Sequence, residues 1–202
     1  DKFAGDETLS AAQPLADRVH SDVPFIVSVG RLAPEKNHLL TLEAFGIFAE
    51  QRPEFHLVIL GEGPLRKELE DRLEELDLGD RVHLLGFVDE PGIYLRSAQL
   101  FTHASLAEAY ASVQLEARLS NVPIVSSRCG VALDMALAKD PMVTLVDSDD
   151  PSDWAQAWLH RLAERGGDGQ VDPKVLYKSH DLPQAIAALT SAIAENACKE
   201  IV

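Results

Sequence analysis

Cysteine is scarce in this chain: 2 among 202 residues, Cys129 and Cys198, far apart and without metal-ligand spacing. That usage fits a reduced, cytoplasmic setting. Long apolar runs are missing as well. None reaches the length needed to cross a membrane, and no signal peptide opens the chain. Positive charge is short, with 18 Lys+Arg against 33 Asp+Glu and a net charge of −15. Nucleic acid and anionic membrane surfaces are therefore poor partners for the chain as a whole. There is no internal repeat. The first residue is Asp1, not methionine, which points to a fragment or a processed product. What remains is an ordinary globular composition, 46% hydrophobic and 25% charged, long enough for one substantial core.

The most informative stretch runs from Gln99 to Ser127, QLFTHASLAEAYASVQLEARLSNVPIVSS. It reads as a buried strand at Leu100 and Phe101, a polar loop, a helix from about Ala111 to Ser120, and a strand at Ile124 and Val125. Glu108 lies in the loop and Glu116 eight positions later, inside the helix. Where a strand leads into a helix, the first helical N–H groups have no partner in the helix, and the dipole adds partial positive charge. Such a terminus suits an anion. Ala109, Ala111 and Ser112 are small enough to admit a ligand to the main chain. Glu116, one turn in, is placed to accept hydrogen bonds from hydroxyls beside that anion. A phosphate with a polyhydroxylated neighbour matches these features.

In chain order, residues 1–22 are polar and aperiodic and read as a linker. Phe25 to Val29 is an apolar, β-branched strand ending at Gly30. Pro34 and Glu35 open a helix whose inner face is expected at Leu40, Ala44, Ile47 and Phe48. Leu57 to Leu60 is the second strand, closed by Gly61-Glu62-Gly63-Pro64, and a charged helix follows over Leu65 to Leu76. Val82 to Leu85 is the third strand, followed by Gly86-Phe87-Val88 and a short helix near Pro91 to Ser97. Met142 to Val146 gives a sixth strand. Helices near Pro151 to Glu164 and Pro183 to Ala197 complete the chain, with Gly166-Gly167-Asp168-Gly169 as a flexible break between them. The organisation expected is a linker at 1–22, one domain over 23–165, and a break with a terminal helix over 166–202.

Strand and helix alternate, and the strands are continuous apolar runs. That pattern predicts a Rossmann-like, doubly wound α/β fold: about six parallel strands with helices on both faces. Ligands in such sheets bind beyond the carboxyl ends of the strands. After the first strand stands Gly30-Arg31-Leu32-Ala33-Pro34-Glu35-Lys36, with two cations in an acidic chain. A charge-assisted bond from either to a phosphate contributes roughly 1.5–3 kcal/mol. The segment reads equally well as a surface loop carrying an ordinary Glu35/Lys36 pair. A lysine in a first helical turn opposes the macrodipole, which tilts the balance towards a ligand.

VGRLAPEKN, ILGEGP, VHLLGFV and SLAEAYASVQLEA with VPIVSS, in this order and spacing, resemble the carboxyl-terminal, nucleotide-sugar-binding domain of retaining glycosyltransferases of family 4. The resemblance covers roughly Val23 to Glu164. It implies half of a two-domain GT-B fold, with Asp1-Lys2-Phe3 as the tail of the hinge and Tyr177-Lys178-Ser179-His180 before the family's terminal helix. An amino-terminal domain absent from the chain would supply the glycan, lipid or small-molecule acceptor site and any membrane contact. The resemblance implies that Arg31 and Lys36 bind the donor diphosphate and stabilise charge on the leaving nucleotide without a metal or other cofactor. Glu116 would hold the ribose hydroxyls of a UDP- or GDP-type donor, and Glu108 would contact its hexose. Main-chain groups at Ala111, Ser112 and Val113 would face the phosphates. Phe87 and Val88 would border the base, Gly30 would give the donor room, and Gly61 would line the cleft.

The chain departs from the family at several points. Glycine is usual at Ala109 and Ala111, and a left-handed alanine there costs on the order of 1–2 kcal/mol. Ser120-Asn121-Val122 replaces a common Cys-Gly-Thr, and Cys129-Gly130 a common Gly-Gly. These departures keep open a module that has lost catalysis and only binds or assembles. A nucleotide-sugar isomerase of related fold is a further alternative.

Other motifs carry less. Asp147-Ser148-Asp149 is formally D-x-D, but it precedes Pro151 and a helix that acidic residues would cap. Gly61-Glu62-Gly63 lacks the third glycine of a dinucleotide fingerprint. His56, His83 and His103 share no spacing and read as packing or surface residues, with His103 placed to face a sugar. Trp154, Trp158 and Cys129 read as core. Ser105 and Ser112 lack the context of a nucleophile triad. Glu68, Glu70, Asp71, Glu74 and Glu75 form a solvated helix face.

Overall fold

The computed structural model of the chain describes residues 23–108 and 110–164. The linker expected at 1–22, the break and terminal helix expected over 166–202, and Ala109 lie outside the described residues. Six strands form one sheet: β1 (Phe25–Val29), β2 (His56–Leu60), β3 (Val82–Gly86), β4 (Leu100–His103), β5 (Ile124–Ser127) and β6 (Val143–Val146). All paired neighbours run parallel, in the order β3-β2-β1-β4-β5-β6. Six helices alternate with them: α1 (His38–Gln51), α2 (Arg66–Glu75), α3 (Pro91–Ser97), α4 (Ser112–Leu119), α5 (Val131–Leu137) and α6 (Pro151–Glu164).

The strands are continuously apolar because both faces of the sheet are covered. On one face Ile26, Leu57, Ile59, Leu100 and Val125 meet α1, α2 and α6. On the other, Phe25, Val27, Val58, Leu60, Phe101 and Ile124 meet α3, α4 and α5. Successive strand residues point to opposite faces, so adjacent positions enter different cores. The first core is centred on Phe48, whose ring meets Trp158 edge-on at 5.8 Å and Phe55 at 5.3 Å. Trp154 and Trp158 are buried there, as the sequence implied.

Four points depart from or add to the expectations. Pro34 does not open α1: Pro34–Lys36 is a separate 3₁₀ turn, ended by Asn37 in the left-handed region at φ 50°. Lys36 therefore precedes the helix, and the macrodipole argument from a first-turn lysine falls away. Ile47 is exposed, whereas Leu42 and Phe45 are buried. Helix α1 is covered by both α2 and α6, so its buried arc is wider than a single stripe. Helix α5 was not anticipated, because its seven residues span barely two turns and are too few for periodicity to register. His56 and His83 are not independent: their rings stack at 5.1 Å across β2 and β3, with Nδ1 and Nε2 2.8 Å apart.

Candidate functional site

The order of strands reverses between β1 and β4, so the loops leaving their carboxyl ends diverge to opposite faces and open a crevice between them. The loop after β1 carries Gly30, Arg31 and Lys36; the loop after β4 carries Ser105 and Glu108, then enters α4. The two loops are joined by the Leu106 N–H donating to the Glu35 carbonyl at 2.8 Å. They are also joined by an ion pair between Lys36 Nζ and Glu108 Oε1, 72 positions apart in sequence.

Glu108 Oε1 accepts two further bonds, from Ser105 Oγ at 2.7 Å and from His103 Nε2 at 3.2 Å. Among the described residues its second oxygen takes no partner. Burial alone would raise the Glu108 pKa, but hydrogen bonds from Lys36 and Ser105 outweigh it and hold the carboxyl below its ordinary range. His103 is buried against Phe101 and held below the usual imidazole value, chiefly by desolvation. A neutral ring beside an ionised carboxylate carries its proton on Nε2 and donates it. Ser105 donates to the carboxylate, not to the imidazole, so acid, imidazole and hydroxyl do not form a hydrolytic triad.

Gly30 lies under the Lys36 stem; a Cβ there would stand 3.4 Å from Lys36 Cδ. Gly61 and Gly63 serve main-chain packing. A Cβ on Gly61, at φ 142°, would fall 2.0 Å from the Gly30 carbonyl oxygen, and one on Gly63 would fall 2.3 Å from that of Leu32. Only glycine lets the loops after β1 and β2 approach this closely. The Gly61 N–H donates to the Gly86 carbonyl at 2.7 Å, which fixes the turn just before Phe87. Phe87 is 77% exposed, while Val88 packs partly against the second core.

The other half of the site is the start of α4. Ala111 caps the helix in the left-handed region, φ 53° and ψ 65°. The strain anticipated for alanine is therefore present at Ala111. Ser112 is exposed and Val113 turns partly into the second core. Half-burial raises the pKa of Glu116, and the Ser112 hydroxyl only partly offsets this. Arg31 is exposed. Among the described residues, neither Arg31 nor Glu116 is ion-paired to the Lys36–Glu108 cluster. The structure thus joins Gly30, Lys36, Glu108 and Gly61 by direct contact. It carries Arg31, Phe87 and Val88 on loops of the same sheet edge, and Ala111, Ser112, Val113 and Glu116 at the cap and in the first turns of α4.

Three supporting residues escaped sequence reasoning. Buried Gln114 donates to Ser126 Oγ at 3.1 Å and accepts from the Ala132 N–H at 2.8 Å, tying α4 to α5. Ser127 Oγ donates to the Ser105 carbonyl and lies 3.2 Å from the half-buried Cys129 sulfur. His38 is buried beneath the loop after β1, close to the Gly30 and Arg31 main chain. Among the described residues neither ring nitrogen makes a hydrogen bond of good geometry, and burial lowers its pKa from 6.5 to about 4. Asp147-Ser148-Asp149 behaves as a helix lead-in. Asp147 lies 3.7 Å from Arg128, the Ser148 carbonyl accepts from Trp154 Nε1, and Asp150 takes the Ser152 N–H. Among the described residues no group of three or more His, Cys, Asp or Glu is placed to hold a metal.

The family model described as "Glycosyl transferases group 1" matches residues 16–165. The chain belongs to this family. It is 40% identical over 101 residues to the N-acetylgalactosamine-N,N'-diacetylbacillosaminyl-diphospho-undecaprenol 4-alpha-N-acetylgalactosaminyltransferase of Campylobacter jejuni, covering 50% of this chain and 27% of that one. It is 32% identical over 124 residues to the mannosylfructose-phosphate synthase of Agrobacterium fabrum, covering 56% and 27%. The chain thus spans only 27% of the length of either curated relative. Among solved structures it resembles Anabaena HepE in complex with UDP and glucose, with TM-score 0.67 and 21% identity over 92% of this chain and 51% of that one. It also resembles the C-terminal domain of a group 1 glycosyltransferase, LpcC, from Francisella tularensis: TM-score 0.65, 18% identity, covering 89% of this chain and 97% of that domain. These likenesses establish the GT-B type of Rossmann-like fold. No helix among the described residues is long and apolar enough to cross a membrane.

Proposed function

We propose that this chain is the donor-binding domain of a retaining, metal-independent family 4 glycosyltransferase that moves a hexosyl group from a UDP- or GDP-type sugar. The observation that carries this reading is the meeting of Lys36 and Glu108 across the switch point, a cation and a carboxylate from two loops at one crevice. The diphosphate lies against Arg31, Lys36 and the main chain of Ala111 to Val113. As the bond from the sugar to the diphosphate breaks, negative charge grows on the leaving oxygen. Two fixed cations stabilise that charge without needing to reorganise. Glu108 binds a hexose hydroxyl and Glu116 the ribose; Phe87 and Val88 border the base. In the whole protein an amino-terminal domain supplies the glycan, lipid or small-molecule acceptor. In a cytoplasmic setting, the chain alone binds nucleotide sugar and transfers nothing.

A second reading, a binding module that has lost transfer, draws on left-handed Ala111 and on Lys36 being already neutralised by Glu108. Calorimetric or NMR titration of the chain with UDP-, GDP- and ADP-sugars tests the donor site. Saturable binding that displaces Lys36 and Glu108 resonances is expected. Failure of all three donors to bind would end the reading.

A further inference from the structure

Three donors converge on one oxygen of Glu108, and two of them belong to buried side chains, His103 and Ser105. Those two are themselves fixed. The Ser105 carbonyl accepts from Ser127 Oγ and from Cys129 Sγ, and the His103 carbonyl from Ser126 Oγ at 3.3 Å. The His103 ring stacks on Phe101 at 5.9 Å. The anchorage thus runs from β5 through the start of the loop after β4 to the carboxylate. A carboxylate can accept about four hydrogen bonds on its two oxygens. Loading Oε1 fixes the plane and rotation of the group, and Oε2 is left without a partner among the described residues. Lys36 differs from the other two donors: its side chain is 20% exposed and carries a cation on a long stem, and an incoming diphosphate competes for it. Once Lys36 turns to phosphate, Ser105 and His103 are the donors that still hold Glu108.

We propose that Ser105 and His103 are positioning residues that clamp Glu108 by Oε1 and aim Oε2 at a hydroxyl of the donor hexose, so that they set the affinity gained from the sugar. This rests on the donor-site reading above and deepens it. Holding a carboxylate in one rotamer before the ligand arrives removes an ordering cost from binding, and that saving appears only for a ligand that uses the carboxylate. The clamp therefore acts on the sugar-bearing form of the nucleotide and not on the bare diphosphate.

The test titrates the 202-residue chain with UDP-glucose against UDP and GDP-mannose against GDP. The sugar increment is the ratio of the two affinities within each pair. Ser105→Ala keeps the carbonyl that latches to Ser127, and His103→Leu removes the second donor; each is expected to lower the increment about fivefold, the net worth of one hydrogen bond. Affinity for the bare diphosphate should stay the same. His103→Gln, which restores a donor near the Nε2 position, should recover most of the loss. In a Glu108→Gln background the Ser105→Ala change should have no further effect, because groups acting through one another are not additive. Equal increments in parent and both single variants would overturn the clamp alone, as would an undiminished Ser105 effect in the Glu108→Gln background. No binding of any of the four ligands by the parent would overturn the donor-site reading and the clamp with it.

Discussion

Two acidic loops leave the carboxyl edge of the same sheet, and they have opposite characters. After β6, at the flank, Asp150 is satisfied locally: it accepts from Ser152, two residues on, through both N–H and hydroxyl. Those bonds hold its pKa below the usual range, but the group stays in water and its work is to start α6. After β4, at the centre, Glu108 is satisfied by Lys36 from a loop 72 positions away and by two buried side chains. Both loops lower a carboxylate pKa. Only the central one does so by long-range assembly in a partly desolvated crevice, where electrostatic interactions are stronger. What separates the Glu108 carboxylate from a helix cap is the origin of its partners.

The largest expected effect separates the two loops directly. Lys36→Ala and Arg31→Ala should each weaken nucleoside-diphosphate binding at least about tenfold, or 1.4 kcal/mol, with the fold intact. Asp147→Asn and Asp149→Asn should leave the same titrations unchanged; a loss there would erase the contrast. Next, Glu116→Gln should weaken sugar nucleotides and free diphosphates alike, whereas Glu108→Gln should weaken only the sugar-bearing form. Identical responses by the two variants would remove the division of roles.

A third measurement reads the protonation of His38, beneath the loop after β1 that supplies Lys36. The pKa of His38 falls from 6.5 to about 4 on folding. Between those values the unfolded chain binds the proton and the folded one does not. Stability present above about pH 6.5 is therefore lost as the pH falls towards 4. Denaturant titrations across that window should decline less steeply for His38→Leu than for the parent, and equal slopes would refute the assignment. The smallest effect is at Ala111. Replacement by glycine relieves a left-handed alanine worth roughly 1–2 kcal/mol but enlarges the unfolded ensemble, for a net gain of up to about 1 kcal/mol. Calorimetric unfolding of Ala111→Gly measures it, and a lower Tm would contradict the strain at this cap.

Much of the arrangement was legible beforehand, for identifiable reasons. Continuous runs such as FIVSV and HLVIL announce strands covered on both faces, and α3 and α6 fall where Pro91 and Pro151 open them. Arg31, Lys36 and Glu108 were singled out because each stands in a loop after a strand, and Glu116 because it follows one turn into the next helix. The supporting residues had no such signal. His103 looked like a packing residue or one that meets the sugar, and Ser105 looked idle, because their common partner is visible only once β4 has been placed. The G-x-G after β2 is explained by the Gly30 carbonyl, which approaches from another loop. Asn121, at φ 57°, stands where the family commonly has glycine; asparagine tolerates that region, so this substitution costs little.

The sequence by itself determined the doubly wound fold, its carboxyl sheet edge, and the charged residues along that edge, because periodicity and chain order are local properties of the chain. Only the tertiary structure decided which of those charges meet. It set Lys36 against Glu108, placed two buried donors on one carboxylate oxygen, and left Asp147 to Asp150 as a helix lead-in. Those outcomes depend on parallel strands from distant parts of the chain lying about 4.8 Å apart, a proximity that sequence separation conceals.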